Sequence, residues 1–310
     1  MNDFFTFLKM CYYNSVYKSW IELFGKHDKR SLKYDISLCL IFKNEAPFLK
    51  EWIDYHKTIG IDHFYLYNNN SNDNYEEVLT PFVNEGLVTL IDFPYNHAQF
   101  RAYKDCYFRF RNESKWISFL DADEFICPRY ASNINDWIKS YDKYPAVTIQ
   151  WLMFCTGGVL EHDYNKNVIE QYFSSWDHFH SHGKCIINTR YDIANFDTWH
   201  VHHHTYMYYS IFGIKCVVPA VNQWFRICTV DKIWGGGKDK LKKSSIQINH
   251  YFTKAWSSWS EKMHRTDVLF EKNPKSEYSY FYKYEEKCIS QNSQIKRFLI
   301  RMKINQGLIQ

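Results

Sequence analysis

The sequence predicts an α/β fold: a Rossmann-like, mostly parallel sheet flanked by helices, with an elaborated C-terminal half. Three observations carry this. Short apolar runs of strand type recur at 36–42, 63–67, 87–92 and 116–120. Segments of helical period separate them, the pattern of consecutive βαβ units. The polar clusters 43–45, 68–73 and 121–124 follow three of these runs, where the carboxyl ends of parallel strands gather a ligand.

Residues 1–33 are a mixed aromatic and basic lead-in of one or two short helices. Regular order begins at Tyr34. The run Ile-Ser-Leu-Cys-Leu-Ile-Phe at 36–42 is continuously apolar, as a strand covered on both faces requires. Pro47 suits the first turn of the next helix. Leu49, Trp52, Ile53 and His56 follow at helical spacing, and Gly60 stops it. The strand at 63–67 ends in the turn-rich Asn-Asn-Asn-Ser-Asn-Asp of 68–73. A short helix over 76–83 leads to Gly86 and the strand 87–92; a helix over 98–112 precedes the strand 116–120. A fifth strand, 146–154, continues the sheet. Beyond 155 the periodicity weakens. A mobile loop is expected at Gly235-Gly-Gly, a strand at 246–250, and helices at 255–272 and 294–303. The last sorts basic and apolar residues onto opposite sides.

Composition narrows the class. The 310 residues carry a formal net charge of +4, too little for a uniformly basic nucleic-acid surface. Hydrophobic residues make up 45% and aromatics 19%, enough for a large core with rings to spare at a site. The nine cysteines form no CxxC pair. No disulfide framework is therefore expected, and a reducing cytoplasmic setting is favoured. No signal-peptide pattern and no apolar run of about 18 residues is present, so the expectation is a cytoplasmic protein, peripheral to the membrane at most.

The strongest chemical pattern is Phe119-Leu-Asp-Ala-Asp-Glu-Phe125. Alternation along an extended chain sends Asp121 and Asp123 to the same side. Two converging carboxylates repel unless a cation lies between them, and a hard divalent ion such as Mn²⁺ or Mg²⁺ suits oxygen ligands and leaves positions for phosphate. The competing reading of an isolated DxD is a solvated acidic turn; placement after a buried strand favours the metal–diphosphate site.

Several motifs in order, Cys39-Leu-Ile-Phe-Lys-Asn-Glu-Ala-Pro-Phe-Leu49, Glu51-Trp-Ile-Asp-Tyr-His56, Gly60-Ile-Asp-His-Phe-Tyr-Leu-Tyr67 and Lys115-Trp-Ile-Ser-Phe-Leu-Asp-Ala-Asp-Glu-Phe125, resemble glycosyltransferase family 92 and its family-2-like bacterial relatives. Asn249-His-Tyr-Phe-Thr-Lys254 resembles that group's C-terminal signature. The resemblance is dense over 36–128 and patchy over 146–265. It implies a GT-A fold and a UDP-sugar donor, with the metal on Asp121, Asp123 and His250. Asn44, Glu45, Asn68, Asn70, Ser71 and Asp73 fall where the family holds the nucleotide, with Asp121 also near the donor. Asn68 stands where many members carry Asp. Lys184 matches a basic position that would neutralise the leaving diphosphate. The general base for the acceptor hydroxyl falls among Glu161, Asp163, Glu170 and Asp177, of which Glu170 fits the family pattern best; Asp123 is the other residue assigned to catalysis.

The domain reading is then a helical lead-in (1–33), a GT-A domain (34–272, with a nucleotide-sugar half at 34–128 and an acceptor half at 129–272) and a basic helical tail (273–310). The functional expectation is a metal-dependent, inverting hexosyltransferase. It would act on a glycan or glycolipid acceptor in surface polysaccharide or lipo-oligosaccharide synthesis, its C-terminal helix resting on an anionic membrane. Trp176, Trp199 and Trp224 are candidate sugar platforms. The histidine run 200–204 lacks zinc-ligand spacing and reads as a loop cluster. A metal-dependent phosphoesterase and a non-catalytic glycan-binding protein remain the alternatives.

Overall fold

The structure, a computed structural model, describes residues 2–196, 201–227, 238–264 and 273–309. The chain opens with α1 (Asn2–Tyr12), which passes through one π-helical turn into α2 (Lys18–Phe24). There follow β1 (Tyr34–Phe42), α3 (Ala46–Thr58), β2 (His63–Asn68), α4 (Tyr75–Asn84), β3 (Val88–Asp92), α5 (Gln99–Phe110) and β4 (Ser114–Phe119). This is the alternation expected from the sequence, with boundaries shifted by two residues or fewer. The second half adds β5 (Glu124–Pro128), α6 (Ile134–Ile138), β6 (Ala146–Met153), α7 (Val168–Gln171), β7 (Ser174–Ser175) and β8 (Gly183–Asn188). It continues through the hairpin β9 (Tyr206–Ile211) and β10 (Ile214–Pro219), then β11 (Val221–Asn222), α8 (Lys238–Lys243) and β12 (Ile246–His250). Last come α9 (Trp256–His264), α10 (Tyr278–Glu285), β13 (Ser290–Gln291) and α11 (Lys296–Asn305).

The main sheet runs β3-β2-β1-β4-β8-β6-β12-β5, with β11 added on β6. The first four strands are parallel. β8 lies antiparallel to both β4 and β6, and β12 is parallel to β6 but antiparallel to β5. The N-terminal half is therefore the expected parallel sheet, and the second half is mixed. All six residues of β2 are buried, matching helices on both faces.

One helix fixes the turn that carries the two aspartates. From α3, Trp52 Nε1 donates to the Glu124 carbonyl (3.0 Å) and Tyr55 Oη to that of Ile126 (2.7 Å). His56 Nδ1 bonds the Trp52 carbonyl (2.8 Å), while its Nε2 accepts from the Ile126 N–H (3.3 Å). Three side chains spaced at helical period thus hold β5 down its length.

Three expectations are corrected by the packing. Cys155 and Cys288 form a disulfide between the end of β6 and the segment after α10, so the absence of CxxC spacing did not exclude cross-linking. Cys39, Cys106, Cys127 and Cys185 are buried free thiols. Helix α11 does not lie free: Phe298, Leu299 and Met302 are buried, and Arg301 donates to the carbonyls of Thr58 and Ser132 while Arg297 donates to that of Pro128. Its arginines terminate α3 and bind the loop after β5, which occupies them. Trp176 is buried, its Nε1 on the Tyr284 carbonyl (2.9 Å), and does not offer a sugar platform. Trp224 is half-buried against Phe179. Trp199, His200 and Gly235–Gly237 lie outside the described residues. Among the described residues, no helix is long and apolar enough to cross a membrane.

Candidate active site

The carboxyl ends of β1, β2 and β4 meet as the topology requires. Past β4, Asp121 and Glu124 close a tight turn on each other. The Glu124 N–H donates to the Asp121 carbonyl (3.1 Å), and the Asp121 N–H to Glu124 Oε2 (3.0 Å). Asp121 points to β8, where Lys184 Nζ donates to its Oδ2 (2.9 Å), and α5 supplies Gln99 Nε2 to its Oδ1 (3.4 Å). Lys184 is fully buried and lies 3.4 Å from Glu124 as well. Burial works against its charge, yet Asp121 and Glu124 hold its ammonium above the ordinary lysine range. Burial pushes the Glu124 carboxyl well up, against the pull of Lys184.

Asp123 faces β12 and α9. His250 Nε2 is 3.4 Å from Asp123 Oδ1, and Lys262 Nζ donates to Asp123 Oδ2 (2.9 Å) and to the Phe252 carbonyl (2.8 Å). Burial opposes ionisation of Asp123, but Lys262 and then His250 hold its carboxyl well below the usual range. The antiparallel register places His250 directly opposite Glu124, leaving His250 Nδ1 and Glu124 Oε1 buried without hydrogen-bond partners. Lys254, buried and at φ 51°, stacks its ammonium over Phe48 (3.6 Å). Burial lowers its pKa, opposed by Glu45, Asp123 and Glu51.

The nucleotide-side candidates come together, and the bonds they make join one loop to the other. Ser71 Oγ accepts from the Asn44 N–H (3.0 Å), Asn44 Oδ1 from the Asn72 N–H (2.8 Å) and Asp73 Oδ2 from the Ala46 N–H (2.8 Å). The last places a carboxylate at the N-terminus of α3, where the helix dipole favours it. Asn68 Oδ1 accepts from the Ser71 N–H (3.0 Å), and its Nδ2 donates to Asp92 Oδ1 (3.1 Å) and Tyr75 Oη (3.0 Å). An amide supplies both a donor and an acceptor, which a carboxylate at 68 could not. Asn70 is exposed, at φ 55°.

Glu170 sits apart from this cluster. On α7 its carboxylate is held by Lys303 of α11 at 3.0 and 3.2 Å. The N-terminus of α7 is itself held by Glu51, which accepts from the Val168 and Ile169 N–H groups (2.7 and 3.1 Å). Of the other base candidates, Asp163 pairs with Lys166 and Asp177 with His178.

Two features were not foreseen. Lys262 lies in a helix whose sequence gives no sign that it reaches Asp123; only the fold brings it there. Trp151 of β6 gathers His250, His203 and His180 around its ring at centroid distances of 4.7, 4.9 and 5.5 Å, with Lys184 at 5.8 Å. Of the expected loop histidines, His202 and His204 are buried and His203 is half-buried, with His203 Nδ1 on the Gly183 carbonyl (2.8 Å) and the Cys185 N–H on the carbonyl of His202 (2.9 Å). They pack along β8 and line the site.

Comparison with known proteins agrees with the motifs. The family model described as glycosyltransferase family 92 matches residues 34–278. A glycosyltransferase family 92 protein of Oryza sativa subsp. japonica is 32% identical over 125 residues, 40% of this chain and 21% of that protein. Galactan beta-1,4-galactosyltransferase GALS2 of Arabidopsis thaliana is 33% identical over 141 residues, 41% of this chain and 27% of that protein. The chain thus aligns with about a quarter of the length of these relatives. Among solved structures, TarS (residues 1–349) of S. aureus shares 11% identity at a TM-score of 0.33, covering 50% of this chain and 47% of that one. The family match spans most of the chain, from the first strand of the sheet to α10, and the chain belongs to glycosyltransferase family 92.

Proposed function

We propose that the protein is a UDP-sugar-dependent hexosyltransferase that transfers one sugar to a glycan acceptor with inversion. The observation that carries this reading is the pairing of Asp121 and Asp123 with Lys184, Lys262 and His250 at the carboxyl end of β4. Two lysines and an imidazole around two carboxylates suit a dianionic diphosphate arriving with a cation.

Asp123 Oδ1 and His250 Nε2 are 3.4 Å apart, close to the separation of about 3 Å between neighbouring ligands of one octahedral ion. An imidazole beside a carboxylate is a donor set that Mn²⁺ accepts. Among the described residues no group of three or more such ligands is assembled, so Asp123 and His250 would hold the ion while the donor's phosphate oxygens fill further positions. When bound, it would supply charge to the leaving diphosphate.

The chain's own residues do the rest. Lys184 fixes Asp121 in one rotamer, and Gln99 holds its second oxygen. Lys262 offers the diphosphate an ammonium already poised at the site, preorganised for charge that grows during departure. The Asn44–Ser71 and Ala46–Asp73 bonds keep the two nucleotide-side loops at fixed separation. As the general base for the acceptor hydroxyl we propose Glu170, which stands apart from the Asp121–Asp123 cluster and would have to leave Lys303 and move toward the donor when the acceptor binds. The imidazoles packed around Trp151 form the wall on the acceptor side. An acceptor in surface glycan synthesis is part of the same proposal.

The test is a donor screen with Mn²⁺ and a galactan or mixed glycan acceptor, led by UDP-galactose because a relative is named for galactosyl transfer, with UDP-glucose and UDP-N-acetylglucosamine beside it. Acceptor-dependent UDP release from one donor supports the reading. Hydrolysis of simple phosphate esters without donor preference would replace it with a phosphoesterase.

A further inference from the structure

The helical segment α1–α2 is apolar on two sides. Its inner side buries Met10, Tyr13, Tyr17 and Ile21. The Tyr17 ring packs on Tyr209 of β9 at 5.6 Å, and Asn14 exchanges hydrogen bonds of 3.0 Å with the backbone of Ile227. That contact seats the helix on the β9–β10 hairpin. The outer side should then be charged, as on any solvated helix. Instead Phe4, Phe5, Leu8, Tyr12, Val16 and Phe24 are exposed there, Phe4 and Phe5 at 63% each.

The hairpin extends the same surface. Phe212-Gly213 is a two-residue loop with φ of 50° and 79° between paired Ile211 and Ile214. Such loops favour Asn-Gly, and a bulky aromatic at positive φ is an outlier. This chain puts phenylalanine at the strained position and leaves it 71% exposed, with Ile214 67% exposed beside it. Folding does not ask for either. Phe212 lies 4.1 Å from Trp20, which lies 4.5 Å from Phe24; helix and hairpin therefore present one continuous apolar strip. Exposed Lys9, Lys26, Lys29 and Lys215 border it. Of the acids nearby, Asp28 is bound by Arg30 and Asp142 by His27, while Glu22 is half paired to Lys18 (3.6 Å).

We propose that this strip is a docking surface for an anionic lipid bilayer. The rings and aliphatic side chains of α1–α2 and of the hairpin tip enter the headgroup–acyl boundary, and the lysines meet the phosphates. Aromatic-rich helices with basic borders lie in that boundary, and the charge on the strip's border is complementary to it. The surface is distinct from α11, whose arginines are bound to protein carbonyls, and it does not depend on the chemistry at Asp121.

The full chain is tested by co-sedimentation with vesicles of phosphatidylcholine alone and with one third phosphatidylglycerol, at low and high salt. The expected result is binding to the anionic vesicles that weakens with salt, and a loss of about tenfold in partitioning for Phe212→Asn with Ile214→Thr. Asn suits the turn, so the variant's melting temperature should equal or exceed that of the wild type; a second variant, Phe4→Ser with Phe5→Ser, should lose binding to a similar degree. Absence of wild-type binding, or equal binding by both variants, overturns the proposal. So does a concentration-dependent dimer that the same substitutions abolish, since the strip would then belong to a second copy.

Discussion

Lys184 and Asp121 form a 2.9 Å ion pair in which the lysine has no solvent exposure and the aspartate is one-third exposed. The same ammonium faces Glu124, fully buried at 3.4 Å. Its removal leaves the buried Glu124 carboxyl without its ammonium partner. Lys184→Met is expected to cost about 3 kcal/mol of stability, the scale for breaking one side of a buried pair. Urea unfolding reads it as a lower midpoint at unchanged slope. A midpoint equal to the wild type would mean that the pair contributes nothing to the fold.

Acid sensitivity is built into α3. His56 is buried, and burial depresses its pKa to about 3 from 6.5, against the pull of its bond to the Trp52 carbonyl. A base with a folded pKa below its unfolded value stabilises fully above pH 6.5 and loses that contribution as pH falls toward 3. Protonation also removes the acceptor for the Ile126 N–H, loosening β5. The loss amounts to as much as about 5 kcal/mol over that window. Stability measured across the acid range should fall less steeply in His56→Gln; parallel curves for the two proteins would assign the acid loss to other groups.

At Asp123, Lys262 holds the carboxylate oxygen that an incoming divalent ion would attract. Removing one positive charge at this distance is worth about 1 kcal/mol in a water-like medium. Lys262→Met should therefore bind Mn²⁺ alone about fivefold more tightly, as titrated by electron paramagnetic resonance without donor. Weaker or unchanged Mn²⁺ binding would show that ammonium and metal do not compete.

Glu170 gives a sharp test of the base assignment. A general base contributes about a hundredfold or more to turnover, so Glu170→Gln should lower kcat by at least that factor with little change in donor KM. Lys303→Met, which frees the carboxylate, should retain activity. Turnover within a factor of about two of wild type in Glu170→Gln would remove it from the reaction.

Legibility in the sequence followed local pattern. Strands β1 to β4 and the helices between them are readable because parallel strands buried on both faces appear as apolar runs closed by polar turns. Asp121 and Asp123 are readable for the same reason, as the polar turn that follows β4, whereas His250 is reached through the resemblance of its surrounding motif to the family. Strand β8 escaped, because Gly183–Asn188 is flanked by histidines and carries a buried lysine whose counter-ion is 63 residues away. Lys262 and the Cys155–Cys288 bridge share that cause, since a pairing made by tertiary packing leaves no periodic trace. Glu51, which caps α7, was read only as part of a motif. The apolar spacing of α11 was correctly seen as helical, but spacing alone does not say whether protein or membrane covers it.

The most direct test of the central claim compares acceptor-dependent UDP release by the wild type and Asp123→Asn with the preferred UDP-sugar and Mn²⁺. Asparagine keeps the shape but loses the charge that organises His250 and Lys262, and the expected result is a fall of about 10²–10³ in kcat, the scale for losing one preorganised electrostatic contact at a transition state, with the fold intact by circular dichroism. Undiminished release from Asp123→Asn, or a wild type that neither binds UDP nor turns over any UDP-sugar, would contradict the account.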